Sequence, residues 1–121
     1  MKKRASIPAS LADLGSLTTA STAALAEGEV NIYSYRQPYL VEPLLEAFTE
    51  ETGIEANVVF AKNGLAERLQ REGRNSPADI VLTVDIARLN ELVEKDVTAP
   101  ITTTILTQDI PENLRHPEGL W

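Results

Sequence analysis

From Glu29 onward, short apolar runs alternate with stretches in which apolar residues recur every three to four positions. Val30, Ile32 and Tyr33 form the first run, ending at Ser34 before the breaker Tyr35-Arg36-Gln37-Pro38. Leu40, Val41, Leu44, Leu45 and Phe48 then follow helical spacing, with Thr52-Gly53 as the stop and Pro43 tolerable only in the first turn. Val58, Val59 and Phe60 make a second strand, and Asn63 is placed to cap a helix that carries Leu65 and Leu69 and stops at Gly73. After Pro77-Ala78, the run Asp79-Ile80-Val81-Leu82-Thr83 reads as a buried strand, and Asp85 as the cap of a helix with Ile86, Leu89, Leu92 and Val93 on one side. Three such strand-helix units predict an α/β fold: a parallel sheet with right-handed crossovers and flanking helices on both faces. Beyond Asp96, the threonine run 102–104 among Pro100, Pro111 and Pro117 predicts a short helix and connecting loops.

The 121 residues suffice for one small domain. Apolar residues at 43% and charged ones at 24% suit an ordinary globular chain, and no apolar run is long enough to cross a membrane as a helix. Residues 27–121 hold 17 acids against 8 bases, a net of -9, with the bases scattered among the acids. A nucleic-acid partner is thereby excluded, because a phosphate backbone needs a clustered basic face. The absence of cysteine removes disulfides and thiolate metal sites from consideration.

Residues 1–26 have the parts of an export leader. Lys2, Lys3 and Arg4 supply a positive start, and Ala24-Leu25-Ala26 before Glu27 fits the small-x-small cleavage pattern. Pro8, Asp13 and Gly15 interrupt the apolar stretch between them, so a basic tail is the competing reading.

In a parallel α/β sheet, ligands bind beyond the carboxyl ends of the strands. That edge collects Arg36, Gln37 and Tyr39 after the first strand, Lys62, Asn63 and Gly64 after the second, and Thr83 and Asp85 after the third. Asn63 and Asp85 also serve simply as helix caps. Arg36 beside a helix N-terminus suits an anion, since its fixed charge and free backbone N–H groups act together. All three tyrosines, Tyr33, Tyr35 and Tyr39, fall within seven residues. A deprotonated phenolate is a good ligand for hard Fe(III). Tyr33 and Tyr35 share one face of the strand, with Tyr33 expected under a helix; Tyr39 is divided between helix-start packing and coordination. No nucleotide-binding, nucleophile-elbow or zinc-protease motif occurs, and the lone His116 is expected in an exposed loop, so no enzyme is indicated.

The segments Glu29-Val30-Asn31-Ile32-Tyr33-Ser34-Tyr35-Arg36 and Ala47-Phe48-Thr49-Glu50-Glu51-Thr52-Gly53-Ile54 resemble the start of mature ferric-ion-binding periplasmic proteins of ABC transporters. Gly64 to Leu69, Ser76 to Asp85 and Leu114 to Trp121 are similar to the same family in the same order. The resemblance implies a two-lobed, hinge-closing fold that holds ferric iron between its lobes, chiefly on tyrosines, with a synergistic anion such as carbonate. It also implies a periplasmic location and an ABC-transporter permease in the inner membrane as partner. Residues 27–121 would then be a partial N-terminal lobe, that of a truncated protein. Many members place a His or Tyr ligand in the turn after the first strand; here the turn reads Gln37-Pro38-Tyr39, which makes Tyr39 a displaced metal candidate. Arg36 falls where some members set an arginine near the anion, while Gln37, Asn63 and Asp85 remain ligand-edge candidates. The competing readings are a binding protein for a polyamine or an oxyanion, and an inactive remnant.

Overall fold

The computed structural model describes residues 28–121. The expected leader lies outside them. Three strands form one sheet: β1 (Glu29–Ser34), β2 (Glu55–Phe60) and β3 (Ile80–Leu82), in the order β2-β1-β3. Both pairings are parallel, with Ile32 opposite Val58 and Ile80, and Tyr33 opposite Val59 and Val81. The crossovers carry α1 (Pro38–Thr52) and α2 (Leu65–Glu72); α3 (Ile86–Glu94) and the short α4 (Thr104–Asp109) follow β3. The α/β class with a parallel sheet is as expected.

Side-chain alternation assigns the helices to the two faces. Tyr33 and Tyr35 point to one side, where they form a buried core with Leu65, Ala66 and Leu69 of α2 and Leu92 of α3. Their shared burial agrees with the two-residue spacing. Ile32 points to the other side, as do its register partner Val58 and, two residues earlier on β2, Ala56, and there α1 lies along β2. Only Val41 of α1 is buried, although the sequence places five apolar residues on its stripe. Because α1 sits over an edge strand, Leu40 and Leu44 have no sheet beneath them and stay exposed.

Local differences from the expected elements have identifiable causes. Pro38 starts α1, so Pro43 lies inside the helix and not in its first turn. Its missing N–H leaves the Tyr39 carbonyl, four residues back, without the usual helical donor. Gly53 closes α1 in the left-handed region (φ 72°), its N–H donating to the Thr49 carbonyl at 2.8 Å. β3 is shorter than the expected 79–83 and is half-buried at most, with Ile80 exposed, because it is the other edge strand. Asp79 extends the pairing by side chain: its Oδ2 accepts from the Asn31 N–H at 2.9 Å, while its own N–H donates to the Asn31 carbonyl at 2.8 Å.

The expected short helix and loops at the C-terminal end are α4 and a 3-10 turn over Glu112–Leu114. His116 is half-buried, contrary to the exposed loop expected for it. Its ring meets Trp121 edge-on with centroids 5.8 Å apart, and its Nδ1 accepts from the Glu118 N–H. These contacts make it a turn-forming residue.

Candidate functional site

Each strand ends in a loop fixed by a different device, and all three loops open on the same edge of the sheet. At the end of β1, Ser34 is fully buried; its Oγ donates to the Arg36 carbonyl at 2.9 Å and accepts from the Arg36 N–H at 3.0 Å. This tight turn throws Arg36 and Gln37 outward, both exposed. Gln37 is the N-cap of α1 and makes no side-chain cap bond, and no acid stands in the helix's first turn. The positive end of the α1 dipole is therefore not offset there by a carboxylate.

At the end of β2, the Ala61 N–H donates to the Ser34 carbonyl at 3.1 Å and leads into Lys62 and Asn63. Asn63 was expected to cap α2, but Gly64 occupies that position with φ 85°. A left-handed cap favours glycine, and it directs the Asn63 side chain away from the helix start. The free α2 donors are met otherwise. The Tyr35 hydroxyl, reaching across from β1, accepts from the buried Ala66 N–H at 3.0 Å. The Glu67 carboxylate takes its own backbone N–H, which holds it below the usual glutamate range.

At the end of β3, Asp85 caps α3 as expected, its Oδ1 accepting from the Arg88 N–H at 2.9 Å. The Arg88 side chain turns back over the edge. Its guanidinium lies 4.3 Å from the centre of the Tyr35 ring, and Nη2 donates to the Asn63 Oδ1 at 3.1 Å and to the Lys62 carbonyl at 3.3 Å.

Between these loops is a cleft of about 350 Å³. Arg36 and Gln37 come from the first loop, Lys62 from the second and Arg88 from the third, with Phe60 and Val84 supplying apolar wall. The structure thus gathers two of the five expected site residues, Arg36 and Gln37. Asn63 and Asp85 stand behind the cleft, one as an acceptor for Arg88 and the other as a cap. Tyr39 lies on the first turn of α1, 66% exposed, and does not line the cleft. Arg88 went unrecognised in the sequence. A usable signal existed: a cation three residues after an N-cap opposes the helix dipole, so something else must hold it there.

A larger hollow of about 630 Å³ runs along α1 and β2, lined by Glu42, Glu46 and Glu50 as well as Val41, Leu45 and Val58. It follows the flank of the sheet and is not at the strand ends, so the smaller cleft is the better site by position. Three cations and no carboxylate line that cleft, an arrangement that attracts anions and repels bare metal ions. Among the described residues, no group of three or more His, Cys, Asp or Glu side chains is placed to hold a metal. Tyr33 is also unsuited to metal: burial, followed by its bond to Glu72, pushes its phenol above the usual value, the reverse of what a phenolate ligand requires.

Comparison with known proteins agrees with this architecture. The chain is 45% identical over 94 residues to iron uptake protein A1 of Synechocystis, and 31% identical over 109 residues to an Fe(3+)-binding periplasmic protein of Serratia marcescens. These alignments cover 77% and 87% of the chain but only 26% and 31% of the relatives, so the chain spans about a quarter to a third of their length. Among solved structures, ferric iron-binding protein A of Mannheimia haemolytica in an open conformation matches with TM-score 0.74 and 48% identity, over 76% of this chain and 29% of that one. A Trichodesmium protein in complex with iron and citrate ligands matches with TM-score 0.73 and 41% identity, over 78% of this chain and 30% of that one. These neighbours are two-lobed, and the residues described here cover part of one lobe. The family model for bacterial extracellular solute-binding proteins matches residues 33–121, from the buried tyrosine of β1 through all three edge loops, and the chain belongs to that family.

Proposed function

We propose that the chain belongs to a periplasmic solute-binding protein that captures ferric iron, with an accompanying oxyanion such as carbonate, for import through an ABC permease of the inner membrane. Residues 1–26 would serve as the export leader and residues 27–121 as part of the N-terminal lobe. The observation that carries this reading is the cationic cleft at the strand ends, in a chain whose relatives bear iron-uptake and ferric-binding names.

The residues divide the work by charge. Arg36 and Lys62 neutralise the oxyanion, Gln37 hydrogen-bonds it, and the exposed Tyr39 phenol offers a hard oxygen to Fe(III) from the adjoining helix turn. Asn63 and Asp85 act indirectly, through Arg88 and through the α3 cap. The anion is what allows a ferric ion to approach three positive side chains, because it brings the opposite charge between them. A polyamine has no such intermediary and is disfavoured by the same cleft.

An oxyanion carried without iron is the second reading, since the three cations favour it directly. Equilibrium dialysis of the chain against citrate alone and against ferric citrate, with visible absorbance recorded, separates the two. Retention of iron with a phenolate-to-iron absorption band that disappears in Tyr39→Phe supports the ferric reading. Equal retention of citrate with and without iron, and no band, assigns the cleft to the oxyanion alone. Preferential retention of spermidine refutes both.

A further inference from the structure

We infer that Arg88 is the specificity residue of the anion cleft: it presents a fixed cation to the oxyanion and at the same time clasps the β2–α2 loop in the position that brings Lys62 to the rim. The inference rests on the anion-binding reading of the cleft and adds to it a residue and a mode of action.

The geometry separates Arg88 from its two neighbours. Arg36 and Lys62 are exposed, and only their backbones are tied down. Arg88 is half-buried and its guanidinium is held on two sides, by the Tyr35 ring at 4.3 Å and by the Nη2 bonds to Asn63 Oδ1 and the Lys62 carbonyl. Tyr35 itself is buried and pinned through its hydroxyl to the Ala66 N–H. A guanidinium has five N–H donors in a rigid fork. Among the described residues, Nη2 alone has acceptors, so the Nε and Nη1 donors remain for a ligand in the cleft that Arg88 lines. Both two-donor edges of a guanidinium include Nη2, which the loop already occupies, so Nε and Nη1 offer separately directed charge-assisted bonds to an oxyanion.

Position adds a second argument. Arg88 lies in the first turn of α3, where the helix dipole favours an acid. The neighbouring cations Arg36 and Lys62 repel it further. Asp85 is the one carboxylate in this turn, and its Oδ1 is engaged with the Arg88 backbone N–H. A bound oxyanion carrying two or more charges relieves the repulsion, whereas a monoanion relieves it only in part. The cleft should therefore prefer polyvalent oxyanions, and Arg88 should set that preference.

The test is calorimetric titration of the full chain with citrate and with acetate, for the wild type, Arg88→Lys and Arg88→Met, with thermal melts as folding controls and amide exchange at residues 62–64 as the readout of the loop. Citrate should bind more tightly than acetate. Arg88→Met should weaken citrate by roughly tenfold or more, the usual scale for losing one charge-assisted pair. Arg88→Lys keeps the charge and loses the planar group that stacks on Tyr35 and clasps the Lys62 carbonyl and Asn63 Oδ1; it should weaken citrate by several-fold and speed exchange at residues 62–64. Wild-type citrate affinity in Arg88→Lys overturns the argument from the held guanidinium. Wild-type affinity in a folded Arg88→Met overturns the role of Arg88 altogether while the anion cleft stands. If the wild-type chain binds neither citrate nor ferric citrate, it is the underlying anion reading that fails.

Discussion

Replacing Tyr35 by Phe removes one oxygen and leaves the ring, the Arg88 contact and the packing in place. What it takes away is the acceptor for the Ala66 N–H, the second residue of α2, in a helix whose glycine cap supplies no side chain. Ala66 is fully buried and Tyr35 is 7% exposed, so water has no ready route to the orphaned donor. An unpaired buried backbone N–H costs about 1–3 kcal/mol, more than the ~1 kcal/mol typical of losing an exposed helix cap. The small gain from burying a less polar ring does not offset this. With a midpoint shift of about 4–8 °C per kcal/mol in a domain of this size, Tyr35→Phe should melt roughly 4–24 °C below the wild type.

Thermal and urea unfolding followed by far-UV circular dichroism measures the loss, and amide exchange locates it. The Ala66 amide should lose its protection, while the Leu69 amide, bonded within the helix, changes only by the global loss of stability. A Tyr35→Phe protein within about 0.3 kcal/mol of the wild type would refute the assignment of the hydroxyl as the cap of α2, because a buried donor cannot lose its partner at no cost.

Glu72 accepts from Arg68 Nε, Ser76 Oγ and the Tyr33 hydroxyl, and these bonds, that to Arg68 foremost, hold its carboxyl below its ordinary value of 4.5. A lowered folded value favours the native state above the ordinary one, and the gain is lost as pH falls through the lowered value. The urea midpoint should therefore drop on acidification below pH 4.5, and Glu72→Gln should flatten that slope. Asp85→Ala removes the α3 cap and should cost about 1 kcal/mol in urea unfolding, with fraying seen as faster exchange of the Arg88 amide. Gly119 has φ +69°, and a Cβ there would stand 2.8 Å from the Ile101 carbonyl oxygen. Gly119→Ala should then destabilise the packing of the last twenty residues by about 1 kcal/mol or more, read as a red shift of the sole tryptophan, Trp121, at lower urea than in the wild type.

The strand-helix order was legible because periodicity and punctuation agreed: Ser34 ended β1, Gly53 closed α1 and Asp85 capped α3. Where one position offered two plausible roles, local preference misled. Asn63 is a good cap by residue type, yet Gly64 takes the left-handed cap and the hydroxyl of Tyr35, 31 residues before Ala66, does the bonding. No local rule finds such a partner, because it depends on β1 lying beneath α2. Pro43 reads as a first-turn residue only if Pro38 is passed over as the helix start. The site was half legible for the same reason. Arg36 and Gln37 follow directly from the strand-end rule, whereas Arg88 sits inside a helix and reaches the edge only through the path of its side chain across Tyr35.

That path also explains how a cluster of like charges is held together at one edge of the sheet. The last two β1-side residues before the turn, Ser34 and Tyr35, are buried and point to opposite faces of the sheet. Ser34 locks the backbone of Arg36; Tyr35 supports the guanidinium of Arg88, which in turn holds the carbonyl of Lys62. The three cations are thus referred to one strand end, and the core interactions of that strand offset their mutual repulsion. Their side chains differ in restraint: among the described residues, those of Arg36 and Lys62 are exposed at the rim without side-chain bonds, and that of Arg88 is held in the wall. Binding an anion then orders two long side chains and not three, and each immobilised side chain spared saves about 0.5–1.5 kcal/mol of ordering cost. On the proposed anion reading, the held cation sets the geometry and the exposed pair closes around the ligand.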